Sequence, residues 1–151
     1  MIKIRTATKD DIEDLMNVRQ EMLRIVNNLP DSETFDTTLI EQFRNYFLNG
    51  NQTTVIAVDK NKIVGCATIS YISIMPTYSH PTGNRAHLMN VYTNKNYRRQ
   101  GIAKQMVSML IEEAKSKGAT EISLDATEDG RPLYKSLGFT ENKEAMVLEN
   151  R

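Results

Sequence analysis

Residues 90–104, Asn-Val-Tyr-Thr-Asn-Lys-Asn-Tyr-Arg-Arg-Gln-Gly-Ile-Ala-Lys, hold the most chemistry in the chain. An alternating run ending at Thr93 reads as a strand and the polar stretch after it as a tight turn. Ile102, Ala103, Met106, Val107, Leu110, Ile111 and Ala114 then fall on one face of a helix. A strand-to-helix junction gathers the unpaired first N–H groups of the helix at one spot, and the positive end of the helix dipole adds to them. The ligand so favoured is an anion, and Gly101 and Ala103 leave room for a phosphate to reach the backbone. A pyrophosphate suits the turn. A triphosphate loop requires Gly-Lys followed by Ser or Thr, and a dinucleotide fingerprint requires three spaced glycines; neither pattern is present. On these residues alone, a plain helix start that tolerates a glycine is an equal alternative.

Two side chains elsewhere could move protons. His87 carries an imidazole able to take up a proton, and Tyr134 a phenol able to donate one. By position alone each has a structural counterpart: a histidine hydrogen-bonded at a strand end, and an aromatic that packs a helix on a sheet.

The elements that must position these groups follow from periodicity. Residues 2–6 alternate as a strand, Thr8-Lys9-Asp10-Asp11 resembles a capping box, and a long helix is expected from near Lys9 to Val26, with Ile12, Leu15, Met16, Arg19, Met22 and Leu23 on its stripe. A second helix is expected over about residues 37–48, ended by Gly50. Residues 53–58 and 62–74 flank Asp59-Lys60-Asn61 as an antiparallel hairpin, and residues 75–84, with Pro76, Pro81 and Gly83, read as an exposed connection. A strand over 85–93, a helix over 100–117 stopped by Gly118, a strand over 121–126, a short helix over 131–137 and a closing strand or hairpin over 138–148 complete the order. The implied fold class is α/β, a sheet covered by helices on both faces.

Composition narrows the function classes. The 151 residues, 40% hydrophobic, fit one domain spanning 1–151. Nineteen Lys and Arg balance nineteen Asp and Glu, so nucleic acid and anionic membranes are poor partners. No apolar run approaches the roughly 20 residues of a membrane span. The alternating N-terminus lacks a signal-peptide core, so a cytoplasmic location is expected. Cys66 is the single cysteine, which excludes an internal disulfide and any multi-cysteine zinc site; no metal is expected.

Two motifs give the anion-binding turn a family context. Arg98-Arg99-Gln100-Gly101-Ile102-Ala103 matches Gln/Arg-x-x-Gly-x-Gly/Ala, and Leu133-Tyr134-Lys135-Ser136-Leu137-Gly138-Phe139 matches Leu-Tyr-x-x-x-Gly-Phe, about 30 residues later. In these motifs and in its order of elements the chain resembles the GNAT superfamily of N-acetyltransferases. The resemblance implies a mixed, mostly antiparallel sheet with a splayed central strand. It also implies acetyl-CoA as co-substrate and transfer of the acetyl group to a primary amine of a small molecule or protein. Carried onto this chain, Val91 and Thr93 would bond the pantetheine arm through their backbones, and the N–H of Val91 or Tyr92 would polarise the thioester carbonyl. Arg98, Arg99, Gln100, Gly101, Ile102, Ala103 and Lys104 would hold the pyrophosphate. Tyr134 matches the general acid that protonates the leaving thiolate, and His87 aligns with the base of some branches, on one strand face with Met89 and Val91. Thr127 stands where relatives often place a cofactor-contacting Asn, a departure that shortens or loses the contact. Glu21, Glu33 and His80 are weaker candidates for the base. The resemblance is compatible with a homodimer. Two other classes compete: a non-catalytic acyl-CoA-binding module of the same fold, and a nucleotide-binding domain that uses only the Gly101 helix start.

Overall fold

The computed structural model describes residues 1–150. Strand β1 (Lys3–Thr6) leads through a 3-10 turn, Lys9–Asp11, into α1 (Ile12–Val26). The Thr8 hydroxyl and the Asp11 carboxylate cap each other's backbone there, so the expected capping box forms. It nucleates the 3-10 turn, and the α-helix starts at Ile12. Helix α2 (Thr37–Asn49) is capped by Asp36, which accepts from the Thr38 N–H at 2.8 Å. Strands β2 (Gln52–Asp59) and β3 (Lys62–Ser73) form the hairpin, turned by Lys60 and Asn61, both at positive φ. Strand β4 (Asn84–Thr93), helix α3 (Ile102–Ser116), strand β5 (Glu121–Leu124) and helix α4 (Arg131–Ser136) follow.

The five strands lie in the order β1-β2-β3-β4-β5, antiparallel except for the parallel β4/β5 pair. Helix α3 covers one face, burying Met106, Val107 and Leu110 against Val55, Ile69 and Leu88. Helices α1 and α2 cover the other, where Leu15, Val18 and Phe47 meet Ile56, Cys66 and Tyr92. Gly65 lets α3 sit close: a Cβ there would stand 3.0 Å from the Tyr92 carbonyl oxygen and 3.2 Å from Met106 Cε.

Residues 138–148 do not form the expected closing strand or hairpin. Met146, Val147 and Leu148 have strand-forming character, yet they are 94%, 83% and 93% exposed and pair with no strand. A strand is secured by a partner edge and a buried face, and this segment has neither. Strand β5 is also shorter than expected, ending at Leu124.

Candidate active site

The site grows from a defect in the sheet. Strand β4 pairs with β5 only from Arg85↔Glu121 to Leu88↔Leu124, then continues to Thr93 paired with β3 alone. Against β3 its register reads Thr68↔Met89 and then Cys66↔Tyr92, so Asn90 and Val91 together oppose Ala67. This is a β-bulge, and Asn90 adopts a positive φ of 57°, as the first residue of a G1-type bulge does. The extra residue switches the faces. Ala86 and Leu88 point into the core beneath α3 and Val91 packs there too, whereas Tyr92 enters the core beneath α1. The sequence expectation that His87, Met89 and Val91 share a face therefore fails at Asn90: Val91 lies on the opposite face. Beyond Leu88 this edge of β4 has no partner strand, because β5 ends at Leu124; it is the place where the family resemblance puts the splay.

At the far end of β4 the chain is tied down before it turns. The Asn94 N–H donates to the Val64 carbonyl at 2.8 Å, the Asn94 side chain caps the 3-10 turn Lys95–Tyr97, and the Tyr97 hydroxyl donates to Asp59 at 2.7 Å. Arg98 Nε donates to the Thr93 carbonyl at 3.3 Å. Arg99 and Gly101 both adopt positive φ, 64° and 75°. The first bond of α3 runs from the Gln105 N–H to the Gly101 carbonyl at 3.1 Å, so the N–H groups of Ile102, Ala103 and Lys104 precede the helical ladder. Arg98, Arg99, Gln100 and Lys104 are exposed around them, and Ile102 is buried as the anchor. A Cβ built on Gly101 would meet no protein atom within 4 Å, so no packing of the chain against itself demands the glycine. The left-handed backbone and open space above it do. Next to the splay, the buried Thr93 hydroxyl has no hydrogen-bond partner among the described residues. Free N–H groups, surrounding cations, an open glycine and an unpartnered hydroxyl on a strand with one open edge fit a long ligand with an anionic end, as coenzyme A is.

Tyr134 sits half-buried on α4, its ring edge-on to Phe139 at 5.9 Å and 75°. Gly130 makes room for that ring, since a Cβ there would stand 3.0 Å from Tyr134 Cε2. Burial raises the phenol above its ordinary pKa, so it stays a proton donor. Thr127 turns the chain into α4: its hydroxyl accepts from the Gly130 N–H at 3.1 Å and its carbonyl from the Arg131 N–H at 3.0 Å. The Thr127 O–H is left to donate elsewhere.

His87 lies on the face opposite α3. Its Nδ1 is hydrogen-bonded to Ser123 Oγ at 2.8 Å, and its Nε2 stands 3.8 Å from an Asp125 carboxylate oxygen. His87 and Tyr134 line one open cleft of about 1130 Å³ along β5 from different faces of the sheet: Tyr134 packs on the core beneath α3, and Ile111 and Lys115 of α3 share the lining with His87. The pyrophosphate-turn residues do not line this cleft.

The weaker base candidates scatter. Glu21 lies beside the Tyr92 hydroxyl, whose pKa is pushed up to about 12, by burial first and by Glu21 second. Glu33 offers its carbonyl to Arg24 in the loop after α1. His80 binds Thr120 at 2.8 Å, next to the start of β5.

Sequence reasoning missed Asn90 and Arg19. The Asn90 side chain is buried and accepts from Arg19 Nη1 at 3.1 Å. An Asn inside a strand, where that residue is disfavoured, is the local signal that could have found the bulge.

Residues 12–139 match the profile of the Acetyltransferase (GNAT) family, and the chain belongs to that family. A Clostridium acetobutylicum protein described as a predicted acetyltransferase, solved with acetyl-CoA, is 34% identical. Its structure superposes with a TM-score of 0.86 over 99% of this chain and 96% of that one. A glucosamine 6-phosphate N-acetyltransferase from Trypanosoma brucei brucei is 33% identical over 90 residues; the match spans 58% of this chain and 58% of that protein. At 22% identity and a TM-score of 0.78, an N-acetyltransferase structure from Ralstonia eutropha JMP134 covers 99% of both chains and shares the fold.

Proposed function

We propose that the chain is an acyl-CoA-dependent N-acetyltransferase that moves an acetyl group from acetyl-CoA to a primary amine of a small molecule or protein. The observation that carries this reading is the open edge of β4 over 89–93, paired with β3 on one side and with no strand on the other, which runs toward the open Gly101 turn. Val91 and Thr93 would bind the pantetheine arm as an added strand would, and the N–H groups from Arg99 to Lys104 would take the pyrophosphate, with Arg98 beside them. The N–H of Val91 or Tyr92 would polarise the thioester carbonyl, the usual backbone device for a developing oxyanion. Thr127, through its free O–H, would touch the cofactor near α4.

An alkylammonium with a pKa of about 10 must lose a proton before it attacks, a deficit of roughly 4 kcal/mol at neutral pH. His87 would accept that proton, directly or through water. Ser123 supports the role by fixing the ring through Nδ1, which leaves Nε2 to the cleft. The amine nitrogen then forms its bond to the acetyl carbon, the carbon–sulfur bond breaks, the Tyr134 hydroxyl protonates the departing thiolate, and the proton shed by the new amide nitrogen returns to the phenolate through water. The Trypanosoma relative's name makes an amino sugar phosphate one acceptor worth testing.

Thiol release from acetyl-CoA, followed with glucosamine 6-phosphate, polyamines, aminoglycosides and lysine peptides, tests the reading. Amine-dependent release is expected, and Tyr134→Phe should lower kcat about 10- to 100-fold while coenzyme A affinity hardly moves. Binding without release for any amine would make the chain an acyl-CoA-binding module. Equal stabilisation by ADP and coenzyme A would reduce it to a nucleotide site.

A further inference from the structure

The polar side chains on the α1/α2 face form one directed line. Arg19 Nη1 donates to Asn90 Oδ1 at 3.1 Å, and Asn90 Nδ2 donates to Thr68 Oγ1 at 3.2 Å. Thr68 and Thr54 share a 2.8 Å hydrogen bond, and the Thr54 hydroxyl donates to Gln52 Oε1 at 2.7 Å. A hydroxyl has one proton, so with Thr54 giving its own to Gln52, Thr68 is the donor in the bond between the threonines. Gln52 Nε2 closes the line on the Phe47 carbonyl of α2 at 3.0 Å. All five bonds point the same way, from the guanidinium of α1 across β4, β3 and β2 to the end of α2, the arrangement in which each bond polarises the next. Thr54, Thr68 and Asn90 are buried.

The line is centred on the bulge. Asn90 holds a left-handed backbone, its thiol neighbour Cys66 donates to its carbonyl at 3.3 Å, and both ends of its amide are engaged. Arg19 is itself fixed, with its guanidinium 5.1 Å above the Phe43 ring of α2 and Nη1 3.8 Å from Met22 Sδ. Among the described residues no carboxylate forms an ion pair with Arg19, so its directed polar bond to another element goes to Asn90.

We propose that Arg19 is a positioning residue: through Asn90 it locks the β4 bulge and so aims the N–H groups of Val91 and Tyr92. The consequence for catalysis rests on the acyltransferase reading. The anchoring itself does not. Without Arg19, Asn90 Oδ1 would be buried with no donor, and the amide would turn to find water, releasing the backbone it holds. Misaiming an oxyanion donor by a fraction of an ångström lowers the rate and leaves binding of the distant pyrophosphate alone.

The test compares the full-length parent with Arg19→Met, Arg19→Lys and Asn90→Gly by NMR amide exchange without ligand, acetyl-CoA titration and steady-state kinetics. In Arg19→Met the amides of Val91 and Tyr92 should exchange at least about tenfold faster while those of α3 stay unchanged. The value of kcat should fall about 10- to 100-fold, with the dissociation constant for acetyl-CoA within about threefold. Arg19→Lys restores a donor and should recover most of both. Asn90→Gly keeps the positive φ but removes the amide, and should repeat the exchange effect if Arg19→Met folds poorly. Unchanged exchange at Val91 and Tyr92 in both Arg19→Met and Asn90→Gly overturns the proposal. So does a rise in acceptor KM alone, which would make Arg19 an acceptor contact. If the parent transfers no acyl group, the acyltransferase reading falls, whereas the exchange rates still decide whether Arg19 holds the bulge.

Discussion

Beneath α3 the sheet meets Met106, Val107, Leu110 and Ala114 with apolar side chains, whereas beneath α1 and α2 it meets Leu15 and Val18 with a seam of Thr54, Thr68 and Asn90 running through it. Apolar burial is strong and non-directional, so the α3 face can supply stability without fixing any one backbone orientation. Hydrogen bonds add little net stability but are costly to leave unmade, so the opposite face holds the bulge in one shape. Stability and aim are thus carried on opposite sides of the same strand, β4, and the bulge at Asn90 is where the strand passes from one to the other.

The largest expected effect tests that division directly. Leu110→Ala, at a site 1% exposed beneath α3, should cost about 3 to 5 kcal/mol, and Leu15→Ala beneath the sheet's other face about 2 to 3 kcal/mol, read from urea unfolding. Equal costs would break the comparison. Gly101→Val comes next. It should weaken coenzyme A binding at least about tenfold, or about 1.4 kcal/mol, by titration, because a branched side chain strains the left-handed turn and fills the space above it. Since that Cβ meets no protein atom, unaltered affinity in a folded variant would move the anion site off α3.

The smallest effect lies at the start of α1, away from both faces. The Asp11 carboxyl is held at about 2, first by its hydrogen bond from Arg5, against burial, with help from the Thr8 N–H. A depressed carboxylate stabilises the fold above its unfolded value near 4 and loses that contribution as the pH falls through about 2. Arg5 is half exposed, so solvent screening leaves about 1 kcal/mol. The stability lead of the parent over Asp11→Asn should therefore be full at about pH 5, shrink as the pH falls and be gone only at about pH 1, below the folded value. Arg19 lies about two turns further along α1, so acyl transfer at neutral pH should not change. A loss there would mean that the cap, as well as Asn90, sets the aim of Arg19.

Most elements were legible because their signals are local. The capping box at Thr8, the Asp59-Lys60-Asn61 turn, the Gly50 and Gly118 stops and the stripe from Ile102 to Ala114 each state their structure within a few residues. What escaped depends on partners far along the chain. Arg19 lies in the periodic stripe of α1 and gives no hint that it binds a residue 71 positions away. Alternation through β4 ran straight across Asn90, because a bulge shows only when the neighbouring strand is counted beside it. Met146-Val147-Leu148 was misjudged for the converse reason: strand-forming residues found no edge. At the site, the motif around Gly101 identified the turn, and no motif announced that Ser123 and Asp125 would stand beside His87.

Gly65 also sets a height. With no side chain there, Met106 Cε comes within 3.2 Å of where a Cβ would stand, so α3 lies low on β3. Met106 is four residues, about 6 Å, from Ile102 at the start of the helix, and Ile102, Met106, Val107, Leu110 and Ala114 are all buried. The Gly101 turn immediately before Ile102 is therefore carried at the level that Gly65 allows the helix, and a glycine in one strand gauges how far the anion-binding turn stands above the sheet.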